Sequence, residues 1–327
     1  MIFNDVSCFP RRLFLSVLMI LSTLVAGVAA AQTFPAKPIH FVVAGPAGQA
    51  TDLLARLLAE KMSPRLKQPI IVDNKVGAAG IIGTEFVAKA PPDGHTILIG
   101  QSGPIVINPY LYKLNFDPQK DLAPVTLLSN GATFMVIRAD SPINSIDEFI
   151  AEARKVPGKL SFASYGAGSL SHLMGESFKG AAGVNLLHVP YKASPMLDII
   201  SGRIDIIFEA GPSALPLING GKIKALGVLS PQRLAIMPNL PTMGERLPTF
   251  NPKGFIGVFV PAGTPPAIIS SLHAEFVQAL ATSEVRKRLS DGIARPGGLS
   301  PAEFGTYVKS ASDEYGAMIK ELNIKAE

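Results

Sequence analysis

Short runs rich in valine and isoleucine alternate along most of the chain with stretches whose apolar residues recur at helical spacing. The runs are "IHFVVA", "PIIVDN", "HTILIG", "TFMVIR", "KLSFAS", "NLLHVPY", "RIDIIFE", "IKALGVL" and "FIGVFV", each the length of one strand. Such alternation predicts α/β layering with mostly parallel strands. The chain has 327 residues, 47% of them hydrophobic, and single cores stop growing at roughly 250–300 residues. Two domains are therefore expected. No long Pro/Gly/Ser linker and no repeat is present, so the chain should cross between domains through strands, near "SNGATFMV" and "NPKGFIGVFVPAGTP". That division gives one domain from 32–131 with 255–327 and a second from 132–254.

The helices carry their own punctuation. Ser145 with Glu148 and Ser300 with Glu303 are spaced as capping boxes, Pro301 suits a first helical position, and Thr264-Pro265 opens another helix. After Thr51, Leu53, Leu54, Leu57 and Leu58 predict one apolar stripe, with Arg56, Glu60 and Lys61 outside it.

The N-terminus differs from the rest. Arg11 and Arg12 precede an apolar run from Leu13 to about Val25, followed by "GVAAAQ", and this order predicts a secretory signal peptide over 1–31, cleaved near Ala31. The run is short of the ~20 residues that span a bilayer. "RRLFL" also resembles a twin-arginine signal, with Pro10 where Ser or Thr usually stands; either route leads out of the cytoplasm. Cys8 is the one cysteine and precedes the apolar run, so the mature chain has none for thiol catalysis, disulfides or metal binding. Removing Arg11, Arg12 and Asp5 leaves 28 basic against 24 acidic residues. That mild, interspersed excess, without any tryptophan, is not the basic stripe of a nucleic-acid binder.

The chemistry concentrates in three glycine-bearing turns. "VVAGPAGQATDLLARLLAEKM" places small residues and a Thr-Asp pair between a strand and a helix, with no lysine or arginine until Arg56. A helix leaves its first N–H groups unpaired and carries about half a positive charge there, so such a turn can hold a carboxylate without any cation. The candidate contacts are Ala47, Gly48, Gln49, Ala50, Thr51 and Asp52, with Asp52 either capping the helix or holding a water. "LSFASYGAGSLSHLMGESF" repeats the plan, with Ser169 a natural N-cap and Leu173, Met174 and Phe178 on the buried face. Ser164, Tyr165, Gly166, Gly168, Ser169 and His172 are its candidates, and His172 also suits a satisfied helix position. "IGQSGPIVINP" brings Gln101, Ser102 and Gly103 to the same end of the sheet, where open α/β sheets bind ligands.

Other chemistries find less. "YGAGSLS" has Ser171 where the dinucleotide fingerprint needs its third glycine, and the following strand ends in Pro190 and Tyr191 instead of an acid. "GAAGIIGTE" lacks a P-loop lysine, and no G-x-S-x-G elbow exists. His40, His95, His172, His188 and His273 show no metal-ligand spacing. Neither a metal nor a cofactor is expected. An enzyme acting on a small acid, a lyase or hydrolase using Asp52, His172 or Glu209, remains the alternative to a binding protein.

The chain resembles the tripartite tricarboxylate transporter substrate-binding proteins, also called Bug receptors. The similarity covers essentially the whole mature sequence. It rests on long ordered stretches such as "FPAKPIHFVVAGPAGQATDLLAR", "QPIIVDNKVGAAGIIGTEFVAKAPPDGHTILIG", "LSFASYGAGSLSHLMGESF" and "HVPYKASPMLDIISGRIDIIFEAGPSALPLINGGKIKALGV". The resemblance implies a type II periplasmic binding protein: two α/β domains, joined by crossing strands, closing on a small organic acid in the cleft between them. It implies a monomeric receptor that serves a membrane permease or sensor partner. It also implies that turn 46–52 takes one carboxylate, loop 164–169 the distal group, and 101–103 part of the same cleft.

Departures accompany the resemblance. Gly48-Gln49 stands where a Gly-Gly pair is usual, and Ala44 and Gly45 replace a proline and an aromatic residue. Gln49 either adds a donor to the ligand or narrows the pocket. Glu209-Ala210 replaces a common Asp-Asn, and Glu209 either meets a ligand ammonium or hydroxyl or forms a hinge-side ion pair. "KASP" follows Tyr191 where a glycine usually follows the lysine.

Overall fold

A computed structural model describes residues 34–325 except Pro231, Asn251 and Lys253. The expected signal peptide lies outside the described residues. Of the N-terminal unit Met1–Ala36, residues 34–36 are described, and Phe34–Pro35 is a cis peptide. Lys37–Glu327 form the other compact unit, and the following account of the fold concerns this unit alone.

Among the described residues, eleven strands make two sheets: β1 (Ile39–Val43), β2 (Ile70–Asn74), β3 (Thr96–Gln101), β4 (Leu122–Gly131), β5 (Thr133–Arg138), β6 (Ser161–Ser164), β7 (Leu187–Pro190), β8 (Ile206–Ala210), β9 (Ile223–Leu229), β10 (Ile256–Pro261) and β11 (Ala294–Pro296). One sheet runs β11-β4-β10-β3-β1-β2 and the other β7-β6-β8-β5-β9. Ala132 alone separates β4 of the first from β5 of the second, and β10 returns the chain to the first sheet.

The expectation of mostly parallel strands is corrected. Four described ladders are parallel and five antiparallel. The strands that connect the sheets cause the difference. β4, β5, β9 and β10 enter or leave through the crossings and lie against their neighbours in the opposite sense, while β1, β2, β3 and β6, β7, β8 keep the parallel order that helical crossovers produce.

Burial on both faces explains the unbroken apolar runs. In β5, Met135 and Ile137 enter one core with Phe149, Phe162, Phe178 and Phe208, while Phe134 and Val136 enter the core on the opposite face with Ile199, Ile207 and Leu215. Each buried phenylalanine contributes about 2–3 kcal/mol relative to exposure. The first sheet's core includes Val42, Leu98, Phe255, Phe259 and Phe304.

The helices that position the cleft are α1 (Ala50–Leu66) after β1, α2 (Ile81–Ala88) after β2, α3 (Leu170–Ala182) after β6 and α4 (Pro301–Glu321) near the C-terminus. On α1 the buried stripe comprises Leu54, Ala55, Leu58, Ala59 and Met62, whereas Leu53 and Leu57 are only half-buried. The stripe is thus shifted from the leucine-only expectation toward small residues that let the helix lie close to the sheet. Ser300 and Glu303 close a full capping box. Ser145 accepts the Glu148 amide, but the Glu148 carboxylate takes the Asn144 N–H. Thr264 donates to the Pro261 carbonyl, and Pro265 is the residue before the helix at Pro266–Ala281. α3 contributes Leu173 to the first sheet's core although it follows a strand of the second.

Candidate functional site

A cavity of about 600 Å³ lies where the turns after β1, β3, β6 and β8 meet. Each turn follows the carboxyl end of a strand, where the backbone stops pairing and its amides become available. Of the residues singled out in the sequence, Gln49, Ala50, Thr51, Gln101, Gly103, Tyr165, Gly166, Ser169 and Glu209 line it. Ala47, Gly48, Asp52, Ser102, Ser164, Gly168 and His172 are not in its wall.

The residues behind the wall shape it. The Gly48 amide donates to Asp52 Oδ2 at 2.9 Å, and Arg56 Nε donates to both Asp52 oxygens at 3.0 and 3.1 Å. Arg56 also donates to Asn74, which donates to the Gly45 carbonyl. Burial pushes the Asp52 carboxyl up, but hydrogen bonds from Arg56, the Gly48 amide and Asn74 reverse this and hold it below the usual carboxylate range. Asp52 therefore braces the turn from behind. The nearest arginine is spent on that brace, so the turn presents amides and no cation. Gly48 makes the turn with φ +83°, a conformation costly for other residues. The first-turn N–H groups of Ala50 and Thr51 have no helical acceptor and lie at the cavity wall. Thr51 Oγ1 donates to Gln101 Oε1 at 3.3 Å, which frees the Gln101 amide nitrogen to donate elsewhere.

Loop 164–169 departs from the expected cradle because its side chains consume its own amides. Tyr165 N–H donates to Ser171 Oγ, Gly166 N–H to Ser164 Oγ, and Gly168 N–H to His172 Nδ1. The Ser169 amide turns back to the Gly166 carbonyl. Ala167, Leu170 and Ser171, all in the wall, are left to offer N–H groups. Ser169 caps α3 as expected by accepting the His172 amide. Ser102 is likewise turned inward, accepting the Phe255 amide at 2.9 Å.

Glu209 lies in the wall and is 3% exposed. Its Oε2 accepts the Tyr165 hydroxyl at 2.7 Å and its Oε1 accepts the Ala210 amide at 3.2 Å. Burial raises its carboxyl to about 7, against the pull of these hydrogen bonds and of the Ser213 side chain. Among the described residues it forms no ion pair, so the hinge-side ion-pair alternative is set aside. Burial and the Glu209 charge hold the Tyr165 phenol well above its ordinary value, partly offset by the Ser194 and Gln49 side chains. Gln49 lies in the wall with its side chain on the Tyr165 phenol. A methyl group on Gly45 would meet Gln49 Oε1 at 2.5 Å, so the two departures in this turn are matched: the missing side chain at 45 makes room for the added one at 49.

Sequence reasoning missed several wall residues. Loop 76–80 lines the cavity, and Ala78 and Ala79 hold φ of 45° and 50°, unusual for residues with a Cβ. The glycines on either side were its only signal. Tyr112 lies in the wall and donates to the Ala167 carbonyl at 2.9 Å, tying the first sheet's segment to the second's loop. Tyr191 and Lys192 also line the cavity, and Lys192 is exposed, with no carboxylate partner among the described residues. The cationic side chain absent from the three turns is thus supplied by the loop after β7.

Comparison with known proteins identifies the family of the chain. Residues 54–324 match the model of the tripartite tricarboxylate transporter family receptor. A UPF0065 protein from the tcbD-tcbE intergenic region of Pseudomonas sp. strain P51 is 36% identical over 321 residues, 97% of this chain and 95% of its own. The solved periplasmic binding protein BugD superposes with TM-score 0.85 at 32% identity, over 90% of this chain and 100% of its own. An R. palustris protein solved with adipate gives 0.85 at 32% identity, over 89% and 99%. MatC from Rhodopseudomonas palustris with bound malate gives 0.83 at 31%, over 88% and 100%. The chain belongs to the tripartite tricarboxylate transporter receptor family of periplasmic solute-binding proteins.

Proposed function

We propose that this receptor captures a small carboxylate in the 600 Å³ cavity by closure of two hinged lobes, 32–131 with 255–327 and 132–254, and presents it to a membrane permease or sensor. The observation that carries the reading is the free first turn of α1 at the cavity wall, beside the Thr51–Gln101 pair. One ligand carboxylate docks on the Ala50 and Thr51 amides and the Gln101 amide nitrogen, where the helix end favours an anion. Lys192 and the Ala167, Leu170 and Ser171 amides take the distal group. The bond from Tyr112 to Ala167 closes the lobes, and a partner distinguishes the closed from the open form. Export by a cleavable signal peptide over 1–31 fits this role.

Micromolar affinity requires about 8 kcal/mol, within reach of a few charge-assisted hydrogen bonds. The relatives solved with adipate and malate support a dicarboxylate-sized ligand.

The cavity suits holding more than chemistry. One hydroxyl–imidazole pair, Ser164 Oγ and His188 Nε2 at 2.7 Å, lies near the cavity, but Ser164 is fully buried behind the wall. Burial pushes His188 down to about 4. Calorimetric titration with malate and adipate, followed by product analysis after long incubation, tests the reading. Saturable binding with unchanged ligand is expected; turnover, or no binding of any carboxylate, would overturn it.

A further inference from the structure

The wall of an acid-binding cavity contains an acid. Glu209 sits there, buried, with both oxygens already accepting hydrogen bonds, Oε2 from Tyr165 and Oε1 from Ala210, and with the Ser213 side chain acting on it as well. These donors suit the acceptor form of the carboxyl, and its roughly four lone-pair sites leave room for a further donor. Among the described residues no arginine, lysine or histidine pairs with it. Lys192, the cation of the same wall, is exposed in the loop after β7. A cavity meant for an unsubstituted dicarboxylate gains nothing from this group, which repels the ligand's charge and must itself be desolvated.

Resting on the carboxylate-receptor reading, we propose that the ligand carries an N–H or O–H donor besides its carboxylates, and that Glu209 is the specificity-determining residue that accepts from it. The class is an amino- or hydroxy-substituted small acid. A bound donor fills the vacant acceptor capacity of Glu209, and an ammonium also neutralises its charge. An analogue lacking the donor leaves that carboxylate buried and unpaired, the situation that gives binding sites their sharpest discrimination. Gln49 supports the arrangement, because its side chain acts on the Tyr165 phenol that donates to Glu209.

Matched acids of equal length test this by calorimetry: succinate, malate and aspartate, then glutarate, 2-hydroxyglutarate and glutamate, then adipate and 2-aminoadipate. In at least one series a substituted acid should bind the wild-type protein at least tenfold more tightly than its unsubstituted parent. Glu209→Gln should shrink that ratio below threefold and tighten the parent acid. A tighter substituted amine than alcohol identifies an ammonium, and the reverse a hydroxyl; either supports the proposal. Parent acids that bind as well as their substituted forms in every series would overturn it, as would a preference that survives Glu209→Gln. If the variant does not fold, the wild-type ranking alone decides. Failure of every acid to bind would instead remove the carboxylate-receptor reading, and the proposal with it.

Discussion

Replacing Glu209 by glutamine should change how stability depends on pH, even with no ligand present. The Glu209 carboxyl is raised to about 7 from an ordinary 4.5. A shift of one unit corresponds to ~1.36 kcal/mol, so keeping this group ionised in the folded chain costs about 3 kcal/mol. The folded chain holds the proton over the window from 4.5 to about 7 while the unfolded chain has lost it. Stability from this group is therefore fully present below the unfolded value and is lost as pH rises through the folded one. Urea unfolding of both proteins between pH 5 and pH 8.5 isolates the effect, since all other groups titrate in common. Wild type should lose ~2.5 kcal/mol relative to Glu209→Gln across that interval. The Tyr165 hydroxyl bond survives in the variant as a bond to the amide oxygen, so any constant offset leaves the slope unchanged. A difference that is flat with pH would refute the buried, uncompensated carboxylate.

Further expectations follow from other contacts. Tyr112→Phe removes the hydroxyl bonded to the Ala167 carbonyl, and a hydrogen bond of ~0.5–1.5 kcal/mol net predicts carboxylate binding weakened about 2- to 12-fold by calorimetry. Thr51→Val should release the Gln101 amide from its position and weaken binding by about 1 kcal/mol with little change in melting temperature. Lys192→Ala should weaken dicarboxylates more than monocarboxylates, and the difference should shrink in titrations at high salt. Gly83→Ala, whose added methyl would approach the Ala44 Cα and the Lys75 carbonyl at 2.9 Å, should destabilise by roughly 1–3 kcal/mol in urea unfolding.

The strands buried on both faces were legible because continuous apolar runs have few other uses. β5 and β8 are examples, their alternate residues feeding two cores. β4 was not legible. Pro124 stands within it, opposite Phe259, and β11 covers β4 only from Ser129 to Gly131, so the proline occupies a stretch with one free edge. Antiparallel pairing was hidden for a related reason: it follows from where the chain crosses between sheets, which composition does not encode. In the site, the helix-start turns announced themselves through glycine beside Thr or Ser. Which amides stay free did not. That depends on Ser164, Ser171 and His172 folding back onto their own loop, a choice set by rotamers and neighbours. Lys192 and Tyr112 were not assigned to the site because they reach the cavity from segments without a glycine turn.

Crystallisation with a bound amino or hydroxy dicarboxylate addresses the binding mode most directly. One carboxylate should lie within about 3 Å of the Ala50 and Thr51 amides, with the ligand's donor on Glu209. A ligand found outside this cavity, or held by Lys192 with the first turn of α1 unoccupied, would contradict it.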